Sequence, residues 1–282
     1  MKQIVILCAM PAEIAPFKRA LQLEQSRQSG VILCWSAKYG AKTVMLAQTG
    51  VGKVQAAAAA QQVITEYAPD AVFSCGTAGS LCPQARIGDI VLGASTLQHD
   101  YGFLLPETFI PFGFHLHRAH GQALFLREFP ADADLLSVAT TTLQAEEFRS
   151  RTGKILSGDQ VIFSTAKRAS LARQFQAIAV DMESAAIAQI CAIHQIPFLA
   201  VRGLSDFADE SSFPLDTSKI DLNEVGESAS GSLGDKLSVL TKVVSYFARH
   251  PSAFRLSLQA RQNIALAAKQ SARFMLAMLK DL

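Results

Sequence analysis

The chain has 282 residues, half of them apolar and 18% charged, with a formal net charge of +2. That balance belongs to a folded globular chain and excludes disordered and fibrous classes. No run of Lys and Arg offers the clustered cations that nucleic acid or anionic lipid requires, and no stretch approaches the roughly 18 uncharged apolar residues that span a bilayer.

At the N-terminus, MKQIVILCAM carries one lysine and an apolar core shorter than that of a signal peptide, and IVIL (4–7) reads as a strand. Similar runs follow at VILCW (31–35), TVMLAQ (43–48), AVFSCG (71–76), IVLGAS (90–95) and FLAVRGLS (198–205). Several are apolar at nearly every position, the pattern of strands covered on both faces. Between them, the alanine-rich stretch 52–68 and ESAAIAQICAIHQ (183–195) read as helices. Alternation of this kind predicts an α/β fold with a parallel or mixed sheet between helices.

Residues 210–236 break the rhythm with Ser, Asp and Gly and read as a long excursion. A helical stripe over 236–250 comes next, stopped by Pro251, and a last helix covers 260–282. With no internal repeat, the expected organisation is one domain over 1–282 with an insertion at about 211–257. The cysteines at 8, 34, 75, 82 and 191 are odd in number and form no CxxC pair. They read as reduced thiols of a cytoplasmic protein.

Three glycine-bearing turns follow strands: TGVGK (49–53), CGTAGSL (75–81) and SGDQVIF (157–163). Glycine lets a backbone approach a ligand, and the amides opening the helix after TGVGK can meet polar oxygens. None of the three fits GxGxxG or GxxxxGK[ST], so dinucleotide and P-loop readings fail on spacing. Three acids fall at strand ends, where ligands of open α/β sheets gather: Glu13, Glu183 and Asp206. Helix capping accounts for Glu13 or Glu183 singly. It accounts less well for Asp206, which ends a buried strand and is followed by Asp209 and Glu210, like charges that favour a protonated acid. HLHRAH, with His115, His117 and His120, lacks zinc spacing and reads as part of a surface loop with the preceding FIPFGF. His99 and Asp100 also end a strand, and a lone histidine there reads as structural. A serine triad lacks its GxSxG elbow.

Taken in order, AMPAEI, TGVGKVQAAAA, CGTAGSL, GDIVLG, SGDQVIF, AVDMESAAIA, VRGLSDFAD and ALAAKQSARFM resemble the nucleoside phosphorylase and nucleosidase superfamily, in particular its methylthioadenosine/S-adenosylhomocysteine nucleosidases. The resemblance runs from residue 1 to about 210 and resumes near 260. It implies a three-layer αβα sandwich around a mixed, partly barrel-like sheet, and cleavage of the N-ribosidic bond of a purine nucleoside without cofactor or metal. By resemblance, Glu13 activates water and Asp206 protonates purine N7. Met182 and Glu183 contact the ribose, Glu183 accepting its hydroxyls, and Thr77 lies near ribose and nucleophile. Ala78, Gly79 and Ser205 complete the implied substrate wall, with Val161 and Ile162 at the purine edge; the family carries an aromatic at the position of Val161.

The chemistry agrees with this assignment. Glycosidic cleavage passes through an oxocarbenium-like state, which gains from an acid at the leaving group and a base for incoming water. The hexameric phosphorylases of the superfamily carry a GDPxR-like first loop and an arginine three residues before Thr77; here those positions hold AMPAEI and Ser74. Both departures favour water, with Arg86 or Arg202 left as possible charges for phosphate. The alternatives are a phosphorylase on the same scaffold, including futalosine-type or adenosylated lipid substrates, and a non-catalytic nucleoside-binding protein. The expected partners are a small purine nucleoside and a second copy of the chain, a dimer first among homo-oligomers.

Overall fold

Runs rich in β-branched residues supply strands, and alanine-rich runs between them supply helices. The computed structural model describes residues 1–23, 27–30, 32–106, 108–117, 123–210 and 251–282. The first part of the order is β1 (Gln3–Cys8), α1 (Pro11–Ala20), β2 (Arg27–Ser29), β3 (Ile32–Tyr39), β4 (Lys42–Gln48), α2 (Lys53–Tyr67), β5 (Ala71–Ser80) and β6 (Ile90–Gln98). Short strands follow: β7 (Gly102–Leu104), β8 (Phe109–Pro111), β9 (Phe114–His117), β10 (Ala123–Leu126) and β11 (Phe129–Pro130). The chain continues with α3 (Ala133–Ala145), β12 (Ser150–Ser157), α4 (Thr165–Phe175), β13 (Ala177–Asp181), α5 (Ser184–His194), β14 (Phe198–Asp206) and α6 (Pro251–Asp281).

Each apolar run named above, apart from Val31, which lies outside the described residues, lies in a strand of this order. The segment 109–117 does not form the expected surface loop: it supplies β8 and β9, which pair antiparallel with β7 and β10. Aromatic packing holds them, Tyr101 stacking on Phe114 at 4.5 Å and Phe114 lying 5.4 Å from Phe129. His115 and His117 are exposed on β9, and His120 lies outside the described residues. So do residues 211–250 of the expected insertion, including the helix expected over 236–250. Pro251 opens α6 instead, a position where its missing N–H costs nothing.

Strand pairing explains both the layers and the site. β1 pairs in parallel with β4 on one side and β5 on the other, and β3 and β2 extend that edge antiparallel. At the other end, β6, β12, β13, β5 and β14 pair in a closed ring, so the sheet is mixed and partly a barrel. Alternation along β1 sends Val5 and Leu7 toward α2 and α5, and Ile4, Ile6 and Cys8 toward α1, α3 and α6. The three-layer αβα expectation therefore holds. α6 lies directly on β14, because a Cβ on Gly203 would overlap the carbonyl of Ala267.

β5 is the pivot. β14 accompanies it from Val72 to Gly79 along one edge, so β1 and β13 must share the other. β1 covers that edge only at Ala71–Ser74 and β13 only at Gly79–Ser80. Between Cys75 and Ala78 the edge has no strand beside it among the described residues.

Candidate active site

The open edge of β5 is met by a side chain. Glu13 stands in the first turn of α1, where Pro11 and the strand-to-helix turn fix its backbone, and it is 2% exposed. Its Oε1 accepts from the Thr77 amide at 2.7 Å and from Thr77 Oγ1 at 3.0 Å; its Oε2 accepts from the Ala9 and Met10 amides at 2.9 and 3.1 Å. The capping role is thus real, and the same carboxylate also takes the place of a neighbouring strand. Gly76 is required beside it, since a Cβ there would stand 2.5 Å from both Glu13 Oε1 and Arg202 Nη1.

Arg202, on β14, is a buried cation at 1% exposure. Its Nε donates to Asp181 Oδ2 at 2.8 Å and its Nη2 to Ser74 Oγ at 2.8 Å and Ser184 Oγ at 2.9 Å. Burial works against its charge, but Asp181 and Glu183 outweigh that and hold its pKa above the ordinary arginine value. Asp181 is equally committed: Ser157 Oγ donates to it at 2.5 Å, Ser184 Oγ donates more closely still, and the Glu183 and Ser184 amides approach at 3.2 Å. In AVDMESAAIA, Asp181 is therefore the structural acid, tying β12, β13, β14 and α5 together.

Glu183, two residues on, is left with less. Its Oε1 accepts from the Gly52 amide at 2.9 Å, and Arg202 Nη2 stands 3.8 Å from its Oε2. Burial pushes its carboxyl up to about 7; Arg202 opposes the rise, and Asp181 and Glu13 add to it. The amides opening α2 do meet polar oxygens, as the TGVGK turn suggested, but those of Glu183 and Asp159.

Asp206 ends β14, with Oδ2 accepting from Ser205 Oγ at 2.8 Å and Oδ1 from the Ala208 amide at 2.9 Å. Only a residue without a side chain fits opposite, since a Cβ on Gly79 would lie 2.8 Å from Asp206 Oδ1. The two acids expected to crowd Asp206 have partners on another element. Asp209 pairs with Arg168 at 2.8 Å, and Glu210 accepts from the Thr165 amide and hydroxyl, so both acids are drawn to α4.

These groups surround one cavity of about 610 Å³, within the range of small-molecule sites. Glu13 and Asp206 line it, as do Thr77, Ala78 and Gly79 of β5, Met182 and Glu183 after β13, and Ser205. Ile162, buried, and Val161, 62% exposed, complete the ten residues singled out from the sequence. Among the described residues no Lys, Arg or His lines the cavity, so neither Arg86 nor Arg202 presents a charge to it. None of the described residues form a cluster able to hold a metal ion.

Sequence reasoning pointed to the amides of the TGVGK turn but not to Glu183 as the acceptor of the Gly52 amide, and it missed one wall. The wall from α6, including Leu256, Gln259 and Asn263, belongs to a helix that begins nine residues before the expected start; a helix from 260 on was readable, but not what it would face.

A model of the Phosphorylase superfamily matches residues 3–244. The 5'-methylthioadenosine/S-adenosylhomocysteine nucleosidase of Staphylococcus haemolyticus is 32% identical over 207 residues, 73% of this chain and 87% of that protein. That of Tolumonas auensis is 31% identical over 212 residues, 74% and 88% of the two chains. Among solved structures, futalosine hydrolase of Helicobacter pylori superposes with a TM-score of 0.73 at 21% identity, covering 100% of this chain and 98% of that one. The Neisseria meningitidis 5'-methylthioadenosine/S-adenosylhomocysteine nucleosidase, in complex with methylthio-immucillin-A, gives 0.73 at 24%, covering 100% of both. At such identities the superpositions speak to the fold, and the fold they share is the one described above. With a family model spanning most of its length and relatives above 30% identity, the chain belongs to the phosphorylase superfamily.

Proposed function

We propose that the protein hydrolyses the N-ribosidic bond of a purine nucleoside and releases the free base. The observation that carries this reading is the lining of the cavity: three carboxylates, from Glu13, Glu183 and Asp206, beside the Asp181 already bound to Arg202, and no cation in the lining among the described residues. Phosphate is a dianion at neutral pH and needs cationic or charge-assisted partners. An oxocarbenium-like sugar is a developing cation, and carboxylates favour it.

Glu13 is stationed beside Gly76 and Thr77, and Asp206 beside Gly79, two to three residues further along β5. At a strand rise of about 3.3 Å per residue, the stations lie about 7 to 10 Å apart along the strand, a separation that leaves room for a water between acid and base. Asp206 donates a proton to the leaving purine at N7, with Ser205 holding its carboxyl in place. Glu183 accepts the ribose hydroxyls and Met182 packs against the sugar. All four acceptor positions of Glu13 are filled by protein donors, so the attacking water displaces the Thr77 hydroxyl from Oε1 and passes its proton there. Ala78, Gly79, Val161 and Ile162 form the apolar purine wall, which keeps other water out.

The relatives' names suggest methylthioadenosine and S-adenosylhomocysteine as first substrates, with futalosine as a further candidate. Incubation with a panel of purine nucleosides, with and without phosphate, is expected to release base and free ribose without phosphate. Glu13→Gln and Asp206→Asn should each lower turnover about 100-fold to 10,000-fold with the fold retained. Base release that requires phosphate makes the protein a phosphorylase; binding without release makes it a binding protein.

The same reading includes a homo-oligomer, a dimer first. Phe103, Leu104 and Ile110 are large apolar side chains exposed together on the β7–β8 hairpin, and exposed apolar patches mark interfaces. It also places the protein in the cytoplasm: all five cysteines are free thiols, four of them buried, which suits a reducing compartment. No helix among the described residues is long and apolar enough to cross a membrane.

A further inference from the structure

Glu183 precedes α5 at its N-cap position but caps nothing with its side chain. Among the described residues, the one main-chain donor that reaches its carboxylate is the Gly52 amide, from a turn 131 residues earlier in the chain. Gly52 has φ 99°, a conformation other residues rarely adopt, so the aim of this amide depends on whatever fixes the TGVGK turn.

Three contacts fix it. The Lys53 amide donates to Asp159 Oδ1 at 2.8 Å, and Lys53 Nζ donates to Asp100 Oδ1 at 2.6 Å. The loop is closed by the Asp159 amide, which donates to Asp100 Oδ2 at 2.9 Å. One cation and two carboxylates thus join the turns that follow β4, β6 and β12, and Asp159 Oδ1 stands 3.2 Å from where a Cβ on Gly52 would be. Lys53 and Asp100 are mostly shielded, with side chains 18% and 19% exposed. None of the three residues lines the cavity.

We infer that Lys53, Asp100 and Asp159 form a bracket that holds the Gly52 amide on Glu183, and that they are positioning residues for the ribose-binding acid. The inference rests on the role proposed for Glu183. The groups facing that carboxylate are Arg202 from β14, Asp181 from β13, Glu13 from α1 and the Gly52 amide from the start of α2. Arg202 is shared among Asp181, Ser74 and Ser184. Without the amide, Glu183 faces two like charges with only that shared cation in its favour, and it keeps its proton to higher pH.

The test is the pH profile of kcat/KM for base release in the wild type, Lys53→Met, Asp159→Asn and Lys53→Arg. Ionisation of Glu183 should appear as an acid limb near pH 7 in the wild type. In Lys53→Met and Asp159→Asn the limb should move up by about one pH unit, the size expected for a lost hydrogen bond to a charged group. Activity at pH 6 then falls about tenfold further than at pH 9, and Lys53→Arg restores most of it. A loss equal at every pH, tracking a lowered melting temperature, would overturn the inference, as would an unmoved profile. The amide proton of Gly52 gives a second readout that needs no turnover: its NMR shift should titrate with Glu183 in the wild type and cease to do so in Lys53→Met. If no nucleoside is cleaved, the proposed function fails while this titration still decides on the bracket.

Discussion

Glu183 shows how a single residue couples stability to function. Its carboxyl is pushed up to about 7 by burial, against an ordinary value of 4.5, so between those pH values the folded chain holds a proton that the unfolded chain releases. The stability this group contributes is full below pH 4.5, falls as pH rises through that window, and levels off above it, by up to about 3 kcal/mol. Glu183→Gln should therefore raise the melting temperature at pH 8, leave it nearly unchanged at pH 5, and abolish base release at both. A lower melting temperature at pH 8 would show that the ionised carboxylate is net stabilising. At this scale the sequence was legible in its side chains: Glu13, Glu183 and Asp206 stood out as acids at strand ends, and they line one cavity. The state of their surroundings was not legible. Asp209 and Glu210 are adjacent to Asp206 in sequence, yet Arg168 and Thr165, some forty residues earlier, claim them.

Among the elements, α6 carries the most consequence. It packs so tightly on β14 that Gly203 leaves no space for a methyl group against the Ala267 carbonyl, a backbone atom that cannot swing aside. Gly203→Ala forces the helix off the sheet. Overpacking of this sort costs about 1 to 3 kcal/mol, and a melting temperature several degrees lower is expected. The N-terminal half of α6 also walls the cavity through Leu256, Gln259 and Asn263, so catalytic efficiency should drop in the same variant even below its melting range. Unchanged melting would mean that the helix is free to shift. Strands covered on both faces were legible as continuous apolar runs, and α2 as an alanine-rich stretch. The strands β8 and β9 were not, because Gly and Pro punctuate FIPFGFHLH and its order comes from aromatic pairs across short hairpins.

For the whole molecule, the αβα layering followed from alternating strands and helices, whereas the closed ring of β6, β12, β13, β5 and β14 did not follow from any local pattern. Pairing is a long-range property: β5 meets β14 about 125 residues later, and a sequence read locally cannot rank such partners. Assembly belongs to this scale too. Light scattering on the purified chain of 30.3 kDa is expected to give twice that mass, and Leu104→Glu, altering a side chain 84% exposed, should return it to the monomer. A monomeric wild type would refute the oligomer.

The unfinished edge of β5 has a further consequence. What closes that edge is the Glu13 carboxylate on main-chain amides of Thr77, Ala9 and Met10, at a gap that topology leaves open. Substitution in the walls leaves those amides in place unless it brings in proline, so a family can drift far in sequence while keeping the same place to work. In the proposed function, ligand preference is then set by the rest of the lining, which in this chain includes α6.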